Sequence, residues 1–125
     1  MSGKAKCACG SASKVIFTCS GSADVGGIAD QAARKLATDG DGKMYCLAGI
    51  SGKISGIVAS TQSAAKILVI DGCPLNCARK TMEQAGFAKF EHLCMADIGF
   101  VKGSSPSSTE SVEKVAQAAA LLLAC

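Results

Sequence analysis

The chain has 125 residues, a formal charge of +3 and about half its residues apolar, enough for one hydrophobic core and too little for two ordinary domains. Lys and Arg are scattered, and one Tyr, four Phe and no Trp leave no basic groove interleaved with stacking aromatics, which argues against a nucleic-acid surface. The longest apolar run, residues 118–124, falls far short of the roughly 20 residues that span a bilayer, so no membrane span is expected.

Eight cysteines are many for such a chain, and the compartment decides how to read them. The opening MSGKAKCACG lacks the apolar segment of a signal peptide. A cytoplasmic protein is therefore expected, in which thiols stay reduced and cysteine-rich sequences are metal-binding or catalytic rather than disulfide-stapled. Residues 1–13 form a small, polar, cysteine-bearing segment in which Cys7, Cys9 and Gly10 make a C-x-C-G element, a second candidate ligand pair. Residues 14–125 read as a single α/β core.

Lys14 to Cys19, KVIFTC, is β-rich and apolar and predicts a first buried strand. Asp24 then opens a helix whose stripe is Val25, Ile28, Ala29, Ala32 and Leu36, closed by Gly40. Gly26 and Gly27 in its first turn each weaken it by roughly 1 kcal/mol relative to Ala, which points to a close backbone approach. Lys43 to Ala48, KMYCLA, predicts a second strand carrying Cys46. Ile50, Ile54, Ile57 and Val58 predict one helix over residues 49–60. Lys66 to Ile70 predicts the third strand, followed by an Asp71-Gly72 turn and a helix from Pro74 to Gly86. Proline is favoured at the first helical position. That places Cys73 at the N-cap and Cys77 one turn in, on a shared helical face. A thiolate there meets unpaired N–H groups and the positive end of the helix dipole.

Lys89 to Met95, KFEHLCM, predicts a fourth strand, with Asp97 just beyond it. Cys94 and the single histidine, His92, fall on one face of that strand. Cys94 reads as core and His92 as a structural residue. After the loop GSSPSS, Ser107 and Glu110 have capping-box spacing for a last helix. Its buried stripe is Val112, Val115, Ala116, Ala119, Leu122 and Leu123, and its apolar end is a candidate homo-oligomer contact. Cys125 reads as incidental.

Strand and helix alternate four times, the pattern of an open parallel sheet of about four strands with helices on both faces, Rossmann-like or flavodoxin-like. Ligands of such sheets bind beyond the carboxyl ends of the strands, where strand order reverses. Cys19, Cys46, Cys73 and Cys77 all fall at or just past those ends. One cysteine in an apolar strand is usually core, but successive β-α units each placing one at the same edge predict a shared sulfur site. Four thiolates would make a closed zinc site. An iron-sulfur cluster is the alternative cofactor. A thiol enzyme is the other alternative, with Cys19 ahead of Ser20-Gly21-Ser22 attacking an oxyanion or sulfur substrate. No Arg lies in residues 20–27 to clamp an oxyanion.

The succession CACG (Cys7 to Gly10), CSGSADVG (Cys19 to Gly26), CLAGI (Cys46 to Ile50), DGCPLNCA (Asp71 to Ala78) and ADIGFVK (Ala96 to Lys102) resembles the DGC domain family. The resemblance implies a small protein that holds zinc through its cysteines. The matching positions are Cys7, Cys9, Cys19, Cys46, Cys73 and Cys77, with Asp24, Asp71 and Asp97 as the family's aspartates. These carboxylates are candidates for second-layer or substrate contacts, the metal ion being the expected partner.

Overall fold

The computed structural model describes residues 13–124. At its centre lie two strands, β1 (Lys14–Thr18) and β3 (Lys66–Asp71), joined in parallel from Lys14↔Lys66 to Thr18↔Ile70. Both are buried almost end to end, as expected where helices cover each face and no side of the strand stays polar. β2 (Lys43–Met44) pairs with the outer side of β1, and β4 (Glu91–Cys94) with the outer side of β3. The order is β2-β1-β3-β4, all parallel. This decides between the two expected topologies in favour of the flavodoxin-like one, whose order reverses between β1 and β3.

Alternation along the strands feeds two apolar layers. Ile16, Leu68, Ile70 and Leu93 pack against α1 (Asp24–Thr38) and α5 (Thr109–Leu123). Val15, Phe17, Ile67 and Val69 pack on the other face against α2 (Leu47–Ser51) and α4 (Cys77–Gln84), with α3 (Ser55–Gln62) beside them. Among the described residues no helix is long and apolar enough to cross a membrane.

Several boundaries differ from the sequence reading, each for a local reason. β2 is two residues long, not six, because the chain leaves the sheet edge after Tyr45 and Cys46 becomes the N-cap of α2. The helix expected over 49–60 is two helices, α2 and α3, broken at Lys53, whose φ is +57°. The strand expected to run to Met95 stops at Cys94, and Met95–Ile98 forms a 3₁₀ turn. α5 is capped by Ser108, which accepts from Ser111 N–H at 3.1 Å, while Ser107 reaches instead towards Gln31. Asp24 is the first helical residue of α1 and Ala23 its N-cap.

The largest correction concerns the loop between β3 and α4. Pro74 does not open the helix. A turn closed by Asn76 N–H to the Cys73 carbonyl at 3.2 Å puts Pro74 at its second position, where proline's fixed φ is equally at home. Asn76 is the N-cap of α4 in a left-handed conformation, with φ 56° and ψ 44°, and Cys77 is the first helical residue. Cys73 and Cys77 therefore do not share a helical face.

Candidate functional site

The carboxyl edge of the sheet is built where two loops meet the start of α1. The first turn of α1 is held between the loop after β1 (residues 19–23) and the loop after β3 (residues 72–76), so closely that glycine is required at both contacts. A Cβ on Gly72 would stand 2.8 Å from the backbone of Gly26 and Val25, and one on Gly26 would stand 2.8 Å from the backbone of Gly21. The expected close approach thus holds for Gly26, whereas Gly27 faces open space.

Asp71, the last residue of β3, organises this corner. It is only 1% exposed. Its Oδ1 accepts from Ala78 N–H at 2.8 Å and its Oδ2 from Arg79 N–H at 3.0 Å. The carboxylate thereby supplies the helix cap that Asn76 does not, and it places negative charge at the positive end of α4. Oδ2 also lies 2.8 Å from His92 Nε2. An ionised carboxylate only accepts, so the imidazole donates from Nε2. One side chain ties β3, β4 and α4 together. By sequence alone Asp71 is a turn residue or ligand contact and His92 a lone structural histidine. The tie between them is new.

The sheet register adds Cys94 to the corner. Asp71 and Cys94 are partners on one rung, and Cys19 continues β1 by donating its N–H to the Ile70 carbonyl at 3.1 Å. Cys19 packs against the layer that contains α4. Burial pushes the Cys94 thiol up. The charges of Asp97, Asp71 and Cys73 act in the same direction, and the N–H of Ala96 works against them. The neutral thiol is the form this position favours.

The other candidates are placed as follows. Cys19 and Cys73 are half-buried, Cys46 and Cys77 exposed, and none of the five described cysteines is in a disulfide. Cys46 sits at the N-cap of α2 and Cys77 at the start of α4. Cys73 lies against the opposite layer from Cys19. Asp97 is exposed in the 3₁₀ turn after β4. Asp24 is a clamp onto residues 79 and 81 positions further along the chain. Its Oδ1 accepts from Val25 and Gly103 N–H, its Oδ2 from Ser105 N–H, all within 2.9 Å. The N–H groups of Gly103 and then Ser105 and Val25 hold its carboxyl below the ordinary value of 3.8. Cys7, Cys9 and Cys125 lie outside the described residues. Among the described residues no three Cys, His, Asp or Glu side chains are grouped closely enough to hold a metal ion.

Fold and site together define a parallel α/β protein of flavodoxin-like strand order whose switch point carries thiols beside a buried carboxylate. The DGC domain family matches residues 15–119. The anaerobic and virulence modulator AnvM of Pseudomonas aeruginosa is 30% identical over 88 residues, which cover 70% of this chain and 67% of that protein. No solved structure matches. The chain belongs to the DGC domain family.

Proposed function

We propose that this chain is a cytosolic zinc-binding protein whose metal is held by thiolates at the carboxyl edge of the sheet, from Cys19, Cys46, Cys73 and Cys77, with Cys7 and Cys9 as further candidate ligands. The observation that carries this reading is the amount of unbonded sulfur at one functional edge. Each β-α connection from β1, β2 and β3 bears a thiol outside any disulfide, and thiolate sulfur suits zinc. The donor chemistry fits the metal. The grouping is not preassembled among the described residues, so in this reading the loops that carry the thiols close on loading. The β3–α4 loop leaves the Asn76 amide oxygen buried without a partner in left-handed backbone, which supports a loop whose contacts are completed by something further. Asp71 would act behind the thiols, fixing the start of α4 and with it Cys77. The name of AnvM describes modulation rather than a reaction, which supports a binding role.

The thiol-enzyme alternative has less behind it. An oxyanion beside Cys19 would face the α1 N-terminus, where the Asp24 carboxylate already sits, and Arg34 is engaged by Asp30 at 2.7 Å. Metal analysis of protein purified without oxygen tests the reading. Zinc in a colourless protein, lowered by Cys19→Ser, Cys46→Ser, Cys73→Ser and Cys77→Ser but not by Cys125→Ser, is the expected result. Equal metal in all variants would overturn the ligand assignment, and a brown protein would replace zinc with the iron-sulfur alternative.

A further inference from the structure

The face of the protein that bears α2, α3 and the C-terminal end of α4 holds a concavity. It has a volume of about 430 Å³, within the range of small-molecule sites. α4 spans eight residues, so its last turn lies roughly 10 Å along the helix from Cys77 at a rise of about 1.5 Å per residue. Among the described residues no cysteine, histidine or carboxylate lines this pocket. Its apolar wall includes Ile50, Val58 and Phe87, and its polar groups are Lys53, Ser55, Gln62 and Gln84, all on exposed residues. None of those four polar side chains makes a hydrogen bond or ion pair with another described residue. An apolar wall with a few uncommitted polar groups is the composition of a site that orients a mostly apolar ligand.

Lys53 supplies an independent observation. α2 ends in a Schellman motif: Ile54 N–H reaches the Gly49 carbonyl at 2.9 Å, and Lys53 N–H reaches the Ile50 carbonyl at 3.1 Å. The left-handed residue of that motif is ordinarily glycine, because a Cβ is unfavourable there. Here the glycine stands one residue early, at Gly52 with φ −82°, and Lys53 takes the left-handed position. A residue kept in an unfavourable conformation while a better one was available points to a use for its side chain. That side chain is the sole cation among the described residues that line the pocket.

We propose that this pocket binds a small amphipathic carboxylate, its apolar body against Ile50, Val58 and Phe87 and its carboxylate on Lys53. The class follows from the charge. One ammonium balances a monoanion, and two amides satisfy the remaining oxygen and any polar substituent. A dianionic phosphate would leave a charge unmatched, since no arginine is among the described lining residues to supply a fork. The site is separate from the thiol edge and stands or falls apart from it.

Octanoate is the probe, titrated into full-length protein and followed by the methyl resonances of Ile50 and Val58, with 1-octanol as the uncharged control. Saturating shifts of those methyls are expected. Octanoate should bind about tenfold more tightly than octanol, the effect of one charge-assisted hydrogen bond. Lys53→Gln should erase that preference. Lys53→Gly should erase it as well while raising the melting temperature, because the left-handed strain is relieved. Loss of octanoate binding in a more stable variant separates a binding role from a folding one. Silent pocket methyls, equal affinities for octanoate and octanol, or undiminished octanoate binding by either variant would overturn the proposal. Self-association in sedimentation that buries these methyls and excludes the probe would also overturn it.

Discussion

Asp71→Asn is the sharpest perturbation of this molecule, because the side chain keeps its shape while its hydrogen-bond capacity changes. The carboxylate serves three donors: Ala78 N–H, Arg79 N–H and His92 Nε2. An asparagine retains one acceptor oxygen, and either orientation turns its NH₂ onto a backbone donor of α4. With the oxygen in the Oδ2 place Ala78 N–H loses its acceptor; with it in the Oδ1 place Arg79 N–H loses its acceptor and so does His92. Loss of a helix cap is worth about 1 kcal/mol, and a hydrogen bond to a charged group about 1.5–3 kcal/mol. Arg79 is exposed and His92 keeps 19% of its side chain in contact with solvent, so water recovers part of both losses. Asp71→Asn should therefore destabilise by about 2 kcal/mol, and Asp71→Ala by about 3–4 kcal/mol because no acceptor remains. Urea unfolding in excess chelator reads this as a lower midpoint at unchanged slope. A double-mutant cycle with His92→Leu should show coupling of about 1–2 kcal/mol, leaving a residual loss that belongs to the α4 cap. An Asp71→Asn variant within about 0.5 kcal/mol of the parent, the ordinary range of surface substitutions, would refute the hub. So would strict additivity with His92→Leu.

The Asp24 clamp carries a pH signature. Its folded pKa lies below 3.8 through the N–H groups of Gly103, Ser105 and Val25, so its contribution is fully present above the unfolded value and fades as pH falls through the folded one. Urea midpoints of the parent and Asp24→Asn should differ near neutral pH and converge in acid, and a constant gap would contradict the assignment. Two glycines should respond oppositely to alanine. Gly72→Ala forces a Cβ to 2.8 Å from backbone and should destabilise by about 1–3 kcal/mol. Gly27→Ala meets nothing and should stabilise by up to about 1 kcal/mol. A thermal melt of each distinguishes the signs. The thiols should also rank. In a brief iodoacetamide pulse on metal-free protein, exposed Cys46 and Cys77 should label first and Cys94, buried and held neutral, last. Early labelling of Cys94 would show that β4 opens.

What could be read from the chain was decided by how many neighbours each segment needs. ILVI in β3 and VIF in β1 are continuous apolar runs because layers cover both faces, and such runs announce themselves without partners. The parallel α/β class and the carboxyl-edge position of Cys19, Cys46 and Cys73 followed from those runs and the helices between them. β2 was overestimated because KMYCLA is equally apolar as a strand or as a strand leaving for a helix. The break at Lys53 was hidden because the left-handed position carries no glycine. Pro74 gave a true signal of reversal, but proline opens helices and occupies turns with the same φ.

The Asp71–His92 tie shows why a site is harder to read than a sheet. Asp71 and His92 are 21 residues apart, and their meeting depends on β3 and β4 being aligned Val69↔His92 and Asp71↔Cys94. A shift of one residue would send His92 to the α5 face and leave the carboxylate with only its two backbone donors. That alignment is set by where α4 ends and how residues 85–90 return to the sheet. There, Phe87 N–H binds the Met82 carbonyl at 3.0 Å and Gly86 adopts φ 94°. Gly86 was legible as a helix stop, but the register it imposes was not, because it is a length rather than a composition. Once the register is known, the period-2 rule places Cys94 beside Asp71 and makes the edge a row of chemistry-bearing residues rather than a set of separate cysteines. His92→Leu therefore probes register as well as hydrogen bonding. It should free the start of α4 without unpairing β4, so backbone amide exchange should quicken at Ala78 and Arg79 but not at Leu93. Faster exchange at Leu93 would mean that His92 holds the strand in place, and that the rung depends on the tie.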